Sequence, residues 1–200
     1  YFQYNELKNK KQWKQISPLK EADFKITVLG YGNIAKNIIK ELLRFGFSIN
    51  VWANQKRNLK NVTYFYGQKQ LGKSIEESNC LINLLPLTSS TSNIINLSLF
   101  KLLNCEAYFI NIGRGNTVNE KDLIYALKKK IIKGAILDVF KKEPLSKSNI
   151  LWELRNVFIS PHIAGITNPT RYAAKILIKN IKSLNNNNKI KNKISLKKEY

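Results

Sequence analysis

The stretch Lys25-Ile-Thr-Val-Leu-Gly30-Tyr-Gly32-Asn-Ile-Ala35 decides the fold. A short β-rich run leads directly into G-x-G-x-x-A, a form of the dinucleotide-binding fingerprint. Gly30 permits a tight turn, Gly32 lets the backbone approach a pyrophosphate, and Ala35 lets the next helix pack close to the strand. The N-terminus of that helix offers unpaired N–H groups to phosphates. We therefore predict a dinucleotide site, rather than a purely structural glycine turn, formed by Gly30, Tyr31, Gly32, Asn33 and Ile34.

The rest of the chain alternates apolar runs with stretches of helical periodicity. Apolar residues recur at helical spacing from Ile34 to Leu43, and Gly46 ends that helix. Five more strands are predicted at 47–52, 80–85, 107–112, 135–139 and 157–160, and further helices at 70–78, 97–103, 120–130 and 169–184. Strands that alternate with helices are joined by right-handed crossovers into one parallel sheet. The predicted fold class is α/β, a Rossmann-type doubly wound parallel sheet.

The composition changes along the chain and predicts three segments. Residues 1–20 are polar and basic and are interpreted as an interdomain helix or arm. Residues 21–167 form the predicted NAD(P)-binding domain, and residues 168–200 a helix followed by an Asn- and Lys-rich tail. The sequence contains no methionine and begins Tyr-Phe-Gln, so we expect it to be an incomplete fragment.

The sequence favours a cytoplasmic protein without a membrane partner. No apolar run approaches the roughly 18 residues of a membrane-spanning helix, and the chain does not open with a signal-peptide pattern. Cys80 and Cys105 both lie in apolar, strand-like stretches. Two isolated cysteines and one histidine have no metal-ligand spacing, so no metal is expected, and a reducing compartment fits best.

The formal net charge of +21 raises the question of a nucleic-acid partner. Only five of the 34 basic residues are arginine, the residue that contacts bases and phosphates with two parallel hydrogen bonds. Lysine, asparagine and isoleucine, which are frequent in this chain, also share A/T-rich codons. We therefore favour compositional drift on a solvated surface over nucleic-acid binding, which stays as an alternative.

The end of the second predicted strand bears on the choice of cofactor. An acidic residue is expected there to bind the adenine-ribose hydroxyls of NAD. The sequence instead reads Ala53-Asn54-Gln55-Lys56-Arg57, and no acid lies between Glu41 and Glu76. Two cations without a carboxylate favour a 2′-phosphate, so Ala53, Asn54, Lys56 and Arg57 predict NADP(H) over NAD(H). The alternative is that Lys56 and Arg57 are ordinary loop charges.

Three polar side chains follow the ends of different predicted strands. Arg114 follows 107–112, Glu143 follows 135–139, and His162, the only histidine in the sequence, follows 157–160. The carboxyl ends of parallel strands form the edge where ligands bind. Arg114 suits a substrate carboxylate, His162 can give a proton to a carbonyl oxygen near neutral pH, and Glu143 can orient the imidazole. Each residue alone is more often structural than catalytic, but their shared position favours a site for hydride transfer to a 2-oxo acid.

Five motifs of this chain form a pattern that resembles a known family. GYGNIA, INLLPLT, INIGRG, AILDVFKKEPL and ISPHIAG occur in this order. As a set they closely resemble the D-2-hydroxyacid dehydrogenases, especially the glyoxylate/hydroxypyruvate reductase branch. The resemblance implies that Arg114, Glu143 and His162 take the catalytic roles. It implies further cofactor contacts by Leu85 and Pro86 on the adenosine side, by Ile112, Gly113 and Asp138 at the nicotinamide carboxamide, and by Gly165.

The same resemblance implies the setting in which these residues act. The expected function is NAD(P)H-dependent reduction of glyoxylate or hydroxypyruvate to the 2-hydroxy acid. Members of the family carry an N-terminal substrate domain, and a homodimer is expected through the cofactor domain, with residues 1–20 contributing. A fragment without the closing domain should bind cofactor but turn over very slowly. The alternative is a non-enzymatic, NAD(H)-sensing module that resembles a corepressor, since such proteins retain the same three residues.

Overall fold

A parallel sheet forms the centre of the fold in the computed structural model, which describes residues 2–17, 20–165, 169–186 and 188–190. Within these residues the seven strands are β1 (Lys25–Leu29), β2 (Ser48–Ala53), β3 (Thr63–Tyr66), β4 (Cys80–Asn83), β5 (Tyr108–Asn111), β6 (Gly134–Leu137) and β7 (Val157–Ile159). Their order in the sheet is β3-β2-β1-β4-β5-β6-β7, and every pair is parallel. The strand order therefore reverses at β1, which is the topological switch point of a doubly wound fold.

The helices differ in length, and two of them are short. Those in the described part of the chain are α1 (Phe2–Asn9), α2 (Asn33–Arg44), α3 (Leu71–Ile75), α4 (Leu97–Phe100), α5 (Glu120–Lys128) and α6 (Pro169–Asn185). Asparagine side chains cap two of these helices: the Asn96 side chain accepts a hydrogen bond from the Leu99 N–H, and the Asn119 side chain accepts one from the Asp122 N–H. Among the described residues, no helix is long and apolar enough to cross a membrane.

Each face of the sheet has its own hydrophobic core. Leu29, Leu81 and Phe109 pack in one cluster, whereas Val28 and Ile82 pack in the other. Side chains alternate between the two faces of a strand, so neighbouring residues of β1 and β4 enter opposite cores. Burial on both faces explains why these strands read as unbroken apolar runs, as is typical of a parallel sheet covered on both sides.

The described residues fall into two compact units, one that extends to Pro161 and one that begins at His162. The first contains the whole sheet. The second contains α6, on which the apolar side chains of Ile176, Leu177, Ile178, Ile181 and Leu184 are exposed. The three-segment division at residues 20 and 167 stays a prediction.

The structure corrects several details of the predicted elements. The six predicted strands are all present, but β3 was missed, because it is a four-residue edge strand that follows β2 through a loop rather than a helix. The helices predicted at 70–78 and 97–103 are much shorter, at five and four residues. Cys80 is buried in β4 as expected, whereas Cys105 is exposed and precedes β5 instead of lying in a strand.

Candidate active site

The glycine turn lies at the switch point and has the geometry that a dinucleotide requires. Gly30 has φ +98°, and a Cβ at this position would lie 3.0 Å from the Leu84 carbonyl oxygen, so only glycine fits. Gly32 precedes α2 as its N-cap, without a side-chain cap hydrogen bond, and a Cβ built on it meets nothing within 4 Å. The start of the helix therefore offers backbone N–H groups beside open space, which fits a pyrophosphate.

Three cations and two aromatic rings lie near the end of β2. Lys56 and Arg57 are exposed in the loop after Ala53, as the sequence suggests. The Lys56 ammonium lies 6.0 Å from the ring centre of Tyr66. The Arg57 guanidinium carbon and the Lys36 ammonium each lie 5.6 Å from the ring centre of Tyr31. This end of the strand is thus strongly cationic, which suits a phosphate better than two ribose hydroxyls.

Two buried asparagines connect the loops that follow β4 and β5. The Asn83 amide donates hydrogen bonds to Asn111 Oδ1 and to Thr117 Oγ1, both at 2.8 Å. In return, Asn83 Oδ1 accepts a hydrogen bond from the Leu85 N–H (3.2 Å), and Asn111 Oδ1 accepts one from the Gly113 N–H (3.3 Å). The turns that carry the predicted cofactor contacts are therefore held by one buried polar network.

The Arg114 loop is fixed by its own backbone. The Thr117 hydroxyl donates a hydrogen bond of 2.6 Å to the Arg114 carbonyl oxygen, and a 3₁₀ turn follows at Gly115–Thr117. The Arg114 side chain is exposed, and its guanidinium donates a hydrogen bond of 2.7 Å to the Gly113 carbonyl oxygen. An exposed guanidinium on an anchored loop can present two parallel donors to a carboxylate.

Gly115 joins the Arg114 loop to the loop of Glu143. A Cβ at Gly115 would overlap the backbone carbonyl of Phe140, so the two chain segments touch directly. The Phe140 N–H donates a hydrogen bond of 2.9 Å to Glu143 Oε1. Arg114 and Glu143 are thereby brought onto two adjoining loops of the first unit.

The remaining predicted residues of the first unit lie at the same edge of the sheet. Asp138, directly after β6, is 2% exposed, and its carboxylate accepts a hydrogen bond of 2.6 Å from the Ser160 hydroxyl. Leu85 and Gly113 are buried, and Pro86 and Ile112 are half-buried. These residues follow β4, β5 and β6, whose carboxyl ends meet at one edge.

His162 and Gly165 belong to the second unit. His162 is exposed and has φ +54°, in the left-handed region that a non-glycine residue seldom adopts. A Cβ at Gly165 would meet nothing within 4 Å. Ser160, two residues before His162 in the chain, is tied to Asp138 by the hydrogen bond described above.

Sequence reasoning missed the residues that hold the site together. Asn83, Asn111 and Thr117 form the buried network, and Gly115 provides the contact between loops. One signal was available: Asn83 and Asn111 each end an otherwise apolar strand, and a buried amide needs partners. Gly115 gave no such signal, because its role depends on Phe140, which is 25 residues away in the sequence.

We expect Asn83→Ala to reduce the free energy of unfolding by about 1–3 kcal/mol, because the buried N–H of Leu85 loses its hydrogen-bond acceptor. Thermal or urea unfolding of the chain measures this change. Asn37→Ala, on the exposed side of α2, is the matched control and should leave stability nearly unchanged. Equal effects of the two substitutions would contradict a stabilising role for the network.

The fold and the glycine turn define a dinucleotide-binding protein of the Rossmann type. The family model for the D-isomer specific 2-hydroxyacid dehydrogenase, NAD binding domain, matches residues 1–164. The chain therefore belongs to this family, and the resemblance inferred from its motifs is confirmed.

Relatives with assigned activities include glyoxylate/hydroxypyruvate reductases A. The protein of this name from Photorhabdus laumondii is 40% identical over 167 residues, which cover 84% of this chain and 53% of the relative. The protein from Escherichia fergusonii is 37% identical over 173 residues, covering 86% of this chain and 55% of the relative. The chain thus spans about half the length of these relatives.

Crystal structures of related proteins share this fold. A D-isomer specific 2-hydroxyacid dehydrogenase from Xanthobacter autotrophicus, in complex with NADPH and MES, has a TM-score of 0.95 at 32% identity, covering 100% of this chain and 82% of that one. An NADPH-dependent glyoxylate/hydroxypyruvate reductase from Sinorhizobium meliloti, in complex with NADP and sulfate, has a TM-score of 0.92 at 28% identity, covering 100% and 64%.

Proposed function

We propose that the chain is the cofactor-binding part of a reductase that converts glyoxylate or hydroxypyruvate to the 2-hydroxy acid with NADPH. The observation that carries this proposal is the adjoining pair of loops that hold Arg114 and Glu143, at the edge of the sheet where the glycine turn also lies. The names of the reductases described above support the substrate class.

Each catalytic candidate has a separate task in the proposed reaction. When bound, the nicotinamide supplies the hydride that adds to the carbonyl carbon. Arg114 binds the substrate carboxylate with two parallel hydrogen bonds and draws electron density from the neighbouring carbonyl. His162 donates its proton to the carbonyl oxygen as that oxygen gains charge, which completes the 2-hydroxy acid. Glu143 orients the imidazole and stabilises its charged form.

The local surroundings support these tasks for the residues of the first unit. The bond from the Phe140 N–H holds one carboxylate oxygen of Glu143, so the carboxylate has a defined direction. The role of His162 is supported by its place in the chain, three residues after the end of β7, and by its being the only histidine in the sequence. The pairing of Glu143 with His162 rests on family membership.

The cationic end of β2 supports a preference for NADPH over NADH. Lys56→Ala combined with Arg57→Ala should weaken NADPH binding tenfold or more and leave NADH binding nearly unchanged. Charge-assisted hydrogen bonds to a phosphate contribute about 1.5–3 kcal/mol each, and NADH lacks that phosphate. Fluorescence titration of the chain with each cofactor gives both dissociation constants.

The control for the Lys56 and Arg57 double variant removes two positive charges from another part of the surface. Lys128 and Lys129 are exposed at the end of α5, on the side where the strands begin. Lys128→Ala combined with Lys129→Ala should therefore leave both dissociation constants unchanged. Equal losses for NADPH and NADH in the Lys56 and Arg57 variant would contradict the preference.

We propose in addition that the protein is a cytoplasmic homodimer. Family membership supports this assembly, and so do two aromatic side chains in the predicted arm: Trp13 is 100% exposed and Tyr4 is 54% exposed. Large exposed aromatic residues are typical of surfaces that another chain covers.

A further inference from the structure

The sheet has two halves, and Asp138 lies in the second of them. Strands β1, β2 and β3 lie on one side of the switch point, and β4, β5 and β6 lie on the other. In a fold with this strand order, each half binds one nucleotide of the dinucleotide. The glycine turn and the cationic loop after β2 belong to the first half, which suits the adenosine part of the cofactor. The nicotinamide part then falls to the ends of β4, β5 and β6.

Asp138 places a buried acid at this edge of the second half. It follows β6 directly and is 2% exposed. Its N–H donates a hydrogen bond of 3.0 Å to the Asn111 carbonyl oxygen, so it lies beside the chain that leads into the Gly113 turn. A buried carboxylate is costly unless hydrogen-bond donors meet it. The carboxamide of a nicotinamide carries two N–H donors, which fit such an acceptor.

Ser160, directly after β7, holds one oxygen of this carboxylate. Its hydroxyl donates a hydrogen bond of 2.6 Å to Asp138 Oδ1. Its own N–H donates a hydrogen bond of 3.0 Å to the Leu137 carbonyl oxygen, which fixes the Ser160 backbone against the end of β6. The terminal torsion of an aspartate side chain has broad minima. A bond to one oxygen therefore selects the orientation of the whole planar carboxylate.

We infer that Ser160 is a positioning residue, which orients the Asp138 carboxylate to accept a hydrogen bond from the carboxamide N–H of the nicotinamide. This inference rests on the proposed function and on the predicted contact between Asp138 and the carboxamide. Ser160 acts through Asp138 and needs no contact with the cofactor. Because the carboxylate is oriented in advance, less side-chain freedom is lost when the nicotinamide binds. The simpler alternative is that Ser160 only links the ends of β6 and β7.

The test compares three ligands that differ at the nicotinamide end. They are NADPH, its 3-acetylpyridine analogue, in which a methyl group replaces the carboxamide NH₂, and 2′-phospho-ADP-ribose, which lacks the nicotinamide. Calorimetric titration of the chain gives a dissociation constant for each. Ser160→Ala should weaken NADPH binding by about three- to tenfold, the contribution of one hydrogen bond. It should leave the other two affinities nearly unchanged, because neither ligand carries the carboxamide N–H.

Three further variants complete the test. Ser160→Thr keeps a hydroxyl and should retain the affinity for NADPH. Ser160→Cys donates only weakly and should show the same selective loss as Ser160→Ala, so it serves if the alanine variant does not fold. Ser48→Ala, at the exposed first residue of β2, is the control and should change none of the three affinities.

The outcomes separate this inference from the proposed function. Equal weakening of NADPH and 2′-phospho-ADP-ribose by Ser160→Ala, or no change in either, would overturn the positioning role and leave the proposed function standing. Equally tight binding of NADPH and the acetylpyridine analogue by the parent chain would also overturn it, because Asp138 would then not accept the carboxamide N–H. Failure of the parent chain to bind NADPH would overturn both the inference and the proposed function.

Discussion

His162→Gln in the full-length protein should slow the reduction of glyoxylate or hydroxypyruvate by roughly 10²–10⁴-fold, the usual contribution of a positioned acid. A glutamine side chain can donate a hydrogen bond but cannot give up a proton near neutral pH, whereas an imidazolium can. NADPH binding should be retained, because the proposed phosphate contacts lie at the glycine turn and after β2. Single-turnover oxidation of NADPH, measured beside the dissociation constant, separates the two effects.

The opposite reading is that His162 has only a structural role in the chain segment after β7. In that case His162→Gln would lower the melting temperature, and the folded variant would reduce its substrate at the parent rate. Arg114→Lys provides a comparison, because an ammonium cannot make the two parallel hydrogen bonds of a guanidinium. It should raise the Michaelis constant for the 2-oxo acid and leave NADPH binding unchanged.

Gly115→Ala should reduce the free energy of unfolding by about 3 kcal/mol, at the upper end of the range for overpacked sites. The added methyl group would overlap the Phe140 carbonyl, and backbone on both sides leaves no flexible side chain to move aside. Since the Phe140 N–H holds Glu143, the displacement should also disturb that carboxylate. Urea unfolding of the chain measures the loss of stability.

Gly32→Ala is the matched control for this prediction. The backbone at Gly32 is extended, and a Cβ there meets nothing within 4 Å, so stability should change little. Dinucleotide binding should nevertheless weaken, because the methyl group would occupy space that the pyrophosphate needs. Similar losses of stability in the two variants would show that Gly115 is not closely packed against Phe140.

The central part of the fold could be predicted from the sequence because its signals are local. The run from Lys25 to Ala35 contains a strand, a turn and the start of a helix, each with its own residue pattern. Asn96 and Asn119 are also local signals, because a cap bonds within the first turn of its own helix.

Features that depend on distant pairing could not be predicted in this way. Four residues at the edge of the sheet form β3. Because the sequence did not predict this strand, it could not place Tyr64 and Tyr66 beside β2. The hydrogen bonds of Asn83 join residues 28 and 34 positions apart in the sequence, and spacing alone does not select such partners. The sequence thus indicated Arg114 and Glu143 but not the groups that hold their loops.

NADPH oxidation by the full-length protein, with glyoxylate, hydroxypyruvate and pyruvate supplied in parallel, tests the central claim most directly. The account predicts rapid oxidation with glyoxylate or hydroxypyruvate, slower oxidation with NADH at the same concentration, and a loss of roughly 10²–10⁴-fold in the His162→Gln variant. A folded protein that binds NADPH but oxidises it with none of the three 2-oxo acids would contradict the account.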